Sequence, residues 1–219
     1  MTIHHMISTM PNVRQLTLSH RYLPKLQHML AIKEKAGWIR CGDVYSCYNV
    51  HCIDISIDTY VTIYTSISGV LFSTSDREQE YAFQALKHND LTRIKFLPNA
   101  VGSLISLLDT TDARLKVHSM WRYSFYDQKD KLAELFLRNG FQEEHLHPDF
   151  FVGFKGKDAN IIHDIEFSAS DNSSMNIVID TDFMQLCDSF KLYLVDSNFG
   201  FQSSDVFEIK NLIGREKRD

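Results

Sequence analysis

The densest group of side chains able to do chemistry is Glu143-Glu144-His145-Leu146-His147-Pro148-Asp149. In extended backbone, residues two apart share a face. Glu143, His145, His147 and Asp149 are therefore expected to project together, as two imidazoles flanked by carboxylates. Two histidines with a carboxylate make an open site for zinc, iron or manganese, and His163 or Glu166 can add a ligand. Pro148 can bend this segment, and a solvated rim of Glu and His is the competing reading. A second group, Cys41, Cys47, His51 and Cys52, lacks the paired C-x2-C knuckles of structural zinc sites. It reads more simply as small apolar residues around a strand.

Two further groups point to macromolecules. Arg21, Lys25, His28 and Lys35 gather on one side of a helix expected over 21–36, opposite Leu23, Leu26 and Leu30. Cations in a row contact phosphates, and neighbouring Tyr22 and Trp38 can stack on bases; a solvated helix face gives the same pattern. The run Trp121-Arg122-Tyr123-Ser124-Phe125-Tyr126 carries the aromatic and Arg anchors typical of interfaces, a composition equally suited to a core strand. Trp121, Arg122, Tyr123, Phe125 and Tyr126 are the interface candidates.

Motifs for covalent or phosphate chemistry are missing. The sequence contains no G-x-S-x-G elbow and no G-x-G-x-x-G, and Gly153-Phe154-Lys155-Gly156-Lys157 has neither the length nor the Ser/Thr of a P-loop. No catalytic residue is assigned on this basis. No organic cofactor is expected, and a divalent metal only on 143–149.

The elements that must position these groups follow from periodicity. A short strand is expected over 13–18, then the helix 21–36 ended by Gly37. Ile53, Ile55 and Ile57 alternate with Asp54, Ser56 and Asp58, the pattern of a half-buried strand. Tyr60–Tyr64 and Val70–Phe72 continue in strand-like fashion. Ser75-x-x-Glu78 is a capping box for a helix reaching about His88. Strands are expected at 91–97, 113–118, 121–125, 150–154, 161–167, 175–179 and 191–195. Helices are expected at 99–108, from Asp127 to Gly140, and at 182–189, while 205–213 fits either state. The two halves share an order of helix, Gly-aromatic, three strands, helix and strand, which fits either a duplication or the chance recurrence of a common helix–Gly–strand junction.

The order strand 13–18, helix 21–36, three strands, helix 77–88, strand 91–97, helix 99–108, strand 113–118 looks like that of the acyl-CoA-dependent N-acyltransferase fold. Leu135–Phe141 resembles that family's late helix-to-strand turn. The resemblance implies a pyrophosphate loop of the form Gln/Arg-x-x-Gly-x-Gly/Ala between the third strand and its helix. That place holds Ser73-Thr74-Ser75-Asp76-Arg77-Glu78, without glycine and with acidic side chains that oppose a pyrophosphate.

The 219 residues are 44% hydrophobic and 23% charged, with net charge −5, which excludes disordered and low-complexity classes. Residues 1–42 hold six Lys or Arg against Glu34 alone, so the acidic excess lies beyond them. That asymmetry fits a basic docking surface or two halves that neutralise each other. No apolar run is long enough to span a bilayer, and the residues after the candidate starts Met1, Met6 and Met10 do not form a secretory signal pattern. A cytoplasmic protein with reduced cysteines and no membrane contact is expected.

The expected fold is α+β, a mixed or antiparallel sheet with helices packed on one face. It divides either into two similar α-βββ-α-β lobes, 1–110 and 111–219, or not at all, as one domain over 10–213. The leading functional expectation is a non-enzymatic module that binds a protein partner or itself. A metal-dependent or transferase-like enzyme built on Glu143, His145, His147 and Asp149 is the alternative, and nucleic-acid binding through the helix 21–35 is the second.

Overall fold

Alternating side chains and well-placed turns build the first of two units into which the chain divides. That unit runs to Tyr60 with Ser170–Ser174, and the second comprises Val61–Ala169 and Met175–Asp219. The computed structural model describes residues 13–35, 38–58, 60–125, 128–153, 160–169 and 173–216. The α+β class holds, with an antiparallel and a parallel sheet. Residue 110, where the lobes were expected to meet, lies in a helix of the second unit.

The first unit comprises β1 (Val13–His20), α1 (Leu23–Lys35), β2 (Ile39–Arg40), β3 (Tyr45–Cys47) and β4 (Val50–Asp58). The Ile/Asp alternation makes β4 the centre of an antiparallel sheet, paired with β1 from Val13↔Asp58 to His20↔His51 and with β2 and β3 on its other edge. Leu18, Ile53 and Ile55 pack with Leu26, Leu30 and Trp38 in a small core. Between β3 and β4, Tyr48 and Asn49 take φ of 49° and 62°. A two-residue hairpin loop with both φ positive matches the twist of its strands.

The second unit contains β5 (Tyr60–Thr65), α2 (Asp76–Lys87), α3 (Pro98–Thr111), β6 (Arg114–Val117), α4 (Lys129–Arg138), β7 (Leu146–Phe151), α5 (Ile161–Phe167), β8 (Ser173–Asp180), β9 (Phe190–Leu194) and α6 (Ser203–Glu216). Its sheet has the order β7-β6-β5-β8-β9, with parallel pairing at β5–β6, β6–β7 and β8–β9. The chain builds outward from β5 through β6 and β7, then returns to lay β8 against the other edge of β5. That is the order of a doubly wound sheet, and its topological switch point lies between β5 and β8.

Both faces of this sheet are covered. On one, Ile63, Leu115, Val117, Ile177 and Ile179 belong to the main core with Leu104 of α3, Leu135 and Phe136 of α4 and Ile209 of α6. On the other, Tyr64, Val152 and Val178 pack with Ile165 of α5, Met184 and Phe190.

Several local expectations need correction. Residues 161–167 are helix: Asn160 accepts from the N–H groups of Ile162 and His163, an N-cap that starts a helix where the β-branched residues suggested a strand. Leu91–Leu97 forms no ladder; Leu91, Ile94 and Phe96 enter the core, while the Phe96 N–H goes to Asn139 Oδ1 and the Leu97 N–H to Leu71 O. Residues 121–125 lie in a 3-10 turn, 182–189 form no helix, and 70–72 contribute one bridge, Ser68↔Phe72. The element order behind the N-acyltransferase resemblance is thus not reproduced, and α5 interrupts the three strands expected in the second half. α2 starts where the capping box placed it, although Ser75 makes no side-chain cap bond.

Candidate functional site

Side chains at alternate positions of a strand share a face, so β6 sends Leu115 and Val117 into the main core and Lys116 to the α5 side. A buried polar layer forms there. His118, immediately after β6, and Asp180, the last residue of β8, join across the carboxyl end of β5 with His118 Nε2 2.7 Å from Asp180 Oδ2. This is the edge where doubly wound sheets place their ligand crevice.

Asp180 is held in place by the backbone that follows it. Its Oδ1 accepts from the N–H groups of Thr181 (2.6 Å) and Asp182 (3.2 Å). Burial by itself would push this carboxyl up, but the bond and charge of His118 and the two backbone donors outweigh it and leave it below its ordinary value. An ionised Asp180 requires the His118 proton on Nε2. When the ring is neutral, Nδ1 carries the lone pair. It is buried without a hydrogen-bond partner, in a residue with 0% exposure. A buried polar nitrogen in that state calls for a water or a ligand.

Three loops meet above this edge. Gly69, after β5, has φ +76°, and a Cβ there would stand 2.6 Å from Thr181 Cγ2 and 3.2 Å from Ser197 Cβ. Only glycine lets these loops close so tightly. The Trp121 indole N–H donates to Ser68 Oγ at 3.0 Å, tying the β5 loop to the turn after β6.

The same layer holds two buried cations. Lys116 is 1% exposed and donates to Asp149 Oδ2 at 3.1 Å and Ser168 O at 2.8 Å; burial lowers its pKa, and Asp149 only partly offsets this. Arg122 is fully buried, with Nη2 2.6 Å from Asp164 Oδ2 and Nη1 3.2 Å from Val152 O.

The candidates from the sequence are placed differently. Glu143 and His145 lie in a 3-10 turn, which breaks the alternation that was to align them with His147 and Asp149. Both nitrogens of His145 are used: Nδ1 accepts from Gln142 N–H at 3.0 Å and Nε2 lies 2.8 Å from Asp109 Oδ1. His147 Nδ1 accepts from Asp149 N–H. Burial, then the charge of nearby Lys116, pushes the His147 ring down to about 4. Among the described residues, no three His, Cys, Asp or Glu side chains form a group able to hold a metal, which covers the Cys41, Cys47, His51, Cys52 set as well.

Trp121, Arg122 and Phe125 are buried in the second unit and Tyr123 half-buried, because the 3-10 turn rolls them inward. They form no exposed aromatic strip, and Tyr126 lies outside the described residues. Arg21, Lys25 and His28 are exposed around α1; the side chain of Lys35 lies outside the described set. Among the described residues, no helix is long and apolar enough to cross a membrane.

Sequence reasoning missed His118, Asp180, Lys116 and Asp164. Arg114-Leu115-Lys116-Val117-His118 alternates like a strand with one wet face, and only recognising 161–167 as a helix would have covered that face. No protein-family model matches the chain, and neither a curated protein nor a solved structure is significantly similar to it.

Proposed function

We propose that the second unit is an enzyme acting on a small polar substrate at the carboxyl edge of its parallel sheet, with His118 as general base and Asp180 as the carboxylate that fixes its tautomer. The observation that carries this reading is the His118–Asp180 pair spanning the switch point, with the opposite ring nitrogen buried and unpartnered. A carboxylate on one imidazole nitrogen holds the other as a proton acceptor and stabilises the imidazolium that forms. The reaction class that fits is removal of a proton from a hydroxyl or water, for hydrolysis or group transfer. Hydroxyls of Ser66, Ser68 and Thr181 stand on the adjoining loops.

The test is a turnover screen of esters, phosphoesters and glycosides with wild type, His118→Ala and Asp180→Asn. The wild type is expected to convert at least one substrate, and His118→Ala to lose about 100-fold or more. A wild type inactive across the panel, or a His118→Ala variant of equal activity, overturns the reading.

One observation favours a second reading, the binding of a protein or of another copy of the chain. Tyr48 is 92% exposed at a hairpin tip, and Ile39 and Tyr45 are exposed on the strands beside β4. Large apolar side chains grouped in solvent mark interaction surfaces. Sedimentation at rising concentration should show a dimer that Tyr48→Ser weakens; a monomer throughout removes the self-association form.

A further inference from the structure

Lys116 is a buried cation that the His118 mechanism leaves unused. A cleft of about 280 Å³ opens beside its hydrogen-bond partners. Both of its hydrogen-bond acceptors, Asp149 and Ser168, line that cleft, so the amine is one contact away from the open volume. The cleft wall also carries Phe151 and Phe167, and Lys129 Nζ stands 5.1 Å from the centre of the Phe151 ring. Asp164, a further lining residue, is neutralised by Arg122, so the cleft is not a simple anionic trap.

A lysine out of water favours its uncharged, nucleophilic form, and burial acts on Lys116 in that direction. The neighbouring carboxylate supplies the other half of an amine–carbonyl site. We propose that Lys116 forms an imine with small carbonyl compounds that enter this cleft, the preferred ones having a flat apolar body and an anionic group. The body lies against Phe151 and Phe167, and the anion faces Lys129. Asp149 takes a proton from the lysine ammonium, and the freed Nζ lone pair attacks the carbonyl carbon. A C–N bond forms as the C=O π bond opens to a carbinolamine. The new alkoxide takes one of the two protons left on nitrogen to become a hydroxyl, which leaves as water with the proton returned by Asp149, and the product is the protonated imine. No oxidant or reductant is consumed in these steps.

The probe is 4-carboxybenzaldehyde with sodium cyanoborohydride to trap the imine, the adducts being mapped by peptide mass spectrometry on the intact folded chain. Lys116 is expected to be labelled at least tenfold faster than the exposed Lys87 and Lys95. Asp149→Asn should slow labelling of Lys116 severalfold and leave Lys87 and Lys95 unchanged. His118→Ala should label like wild type, which separates this site from the proposed catalytic pair. A purely structural lysine at 1% exposure would be protected. Labelling of Lys116 slower than, or equal to, that of the surface lysines therefore overturns the proposal. Lys116→Met checks the assignment, because its adduct must vanish while circular dichroism stays that of wild type.

Discussion

His147 offers a quantitative test of the buried polar layer. Its ring is held neutral by burial and by the nearby Lys116, with a pKa pushed down to about 4 from the ordinary 6.5. A base whose folded pKa lies below its unfolded value takes up a proton first in the unfolded chain. Stability is thus intact above about 6.5, falls as the pH drops towards about 4, and is level again below that. At about 1.4 kcal/mol per pH unit, the full interval amounts to about 3 kcal/mol. The adjoining Asp149 side chain is 67% exposed and lets water screen the ring, so about 2 kcal/mol is the expected loss. His147→Gln removes the titration while its amide oxygen can still accept the Asp149 N–H bond now made to Nδ1. Urea unfolding of wild type and His147→Gln between pH 7.5 and 3.5 isolates the effect. The two stability curves should separate by about 2 kcal/mol over this range, the wild type losing more. Parallel curves would mean that His147 titrates alike in the folded and unfolded chain and is not held neutral by burial.

The Arg122–Asp164 pair, buried on both sides, should behave as a buried ion pair does when one partner is removed: Asp164→Ala is expected to cost about 3–5 kcal/mol, while Arg122→Met/Asp164→Leu costs less than that single change. Urea midpoints decide it, and an Asp164→Ala loss below about 1 kcal/mol contradicts the packing described. Gly69→Ala should cost about 1–3 kcal/mol, since it combines a φ of +76° with a Cβ 2.6 Å from Thr181 Cγ2. Adding Thr181→Ser, which deletes that methyl, should restore part of the loss; thermal melts of the single and double variants check this, and no recovery would mean that the three loops do not interlock there.

Much of the fold was legible because local signals were strong. The Ile/Asp alternation built β4, Pro98 opened α3, and Gly140, at φ +102°, closed the turn after α4. The failures have a common cause. The apolar residues 91–97 and 161–167 have strand-like composition, yet their backbone bonds are decided by distant partners, Asn139 for Phe96, or by a single cap, Asn160 for α5. The site was less legible than the fold. His118 and Asp180 are 62 residues apart, and only the return of the chain from β7 to β8 brings them together. The 143–149 segment failed for a local reason: the Gln142 N–H bonds His145 Nδ1, curling the backbone into a turn where the spacing argument assumed extension.

The central claim is that His118 presents a bare ring nitrogen at the switch point while Asp180 holds the other. Long-range ¹H–¹⁵N spectra of the histidine side chains at pH 7.5, assigned with His118→Ala, measure this directly. A single proton on Nε2, an unprotonated Nδ1, and a change at Nδ1 alone when a substrate found in the turnover screen is added are the expected results. A ring protonated on both nitrogens, or carrying its one proton on Nδ1, would contradict it.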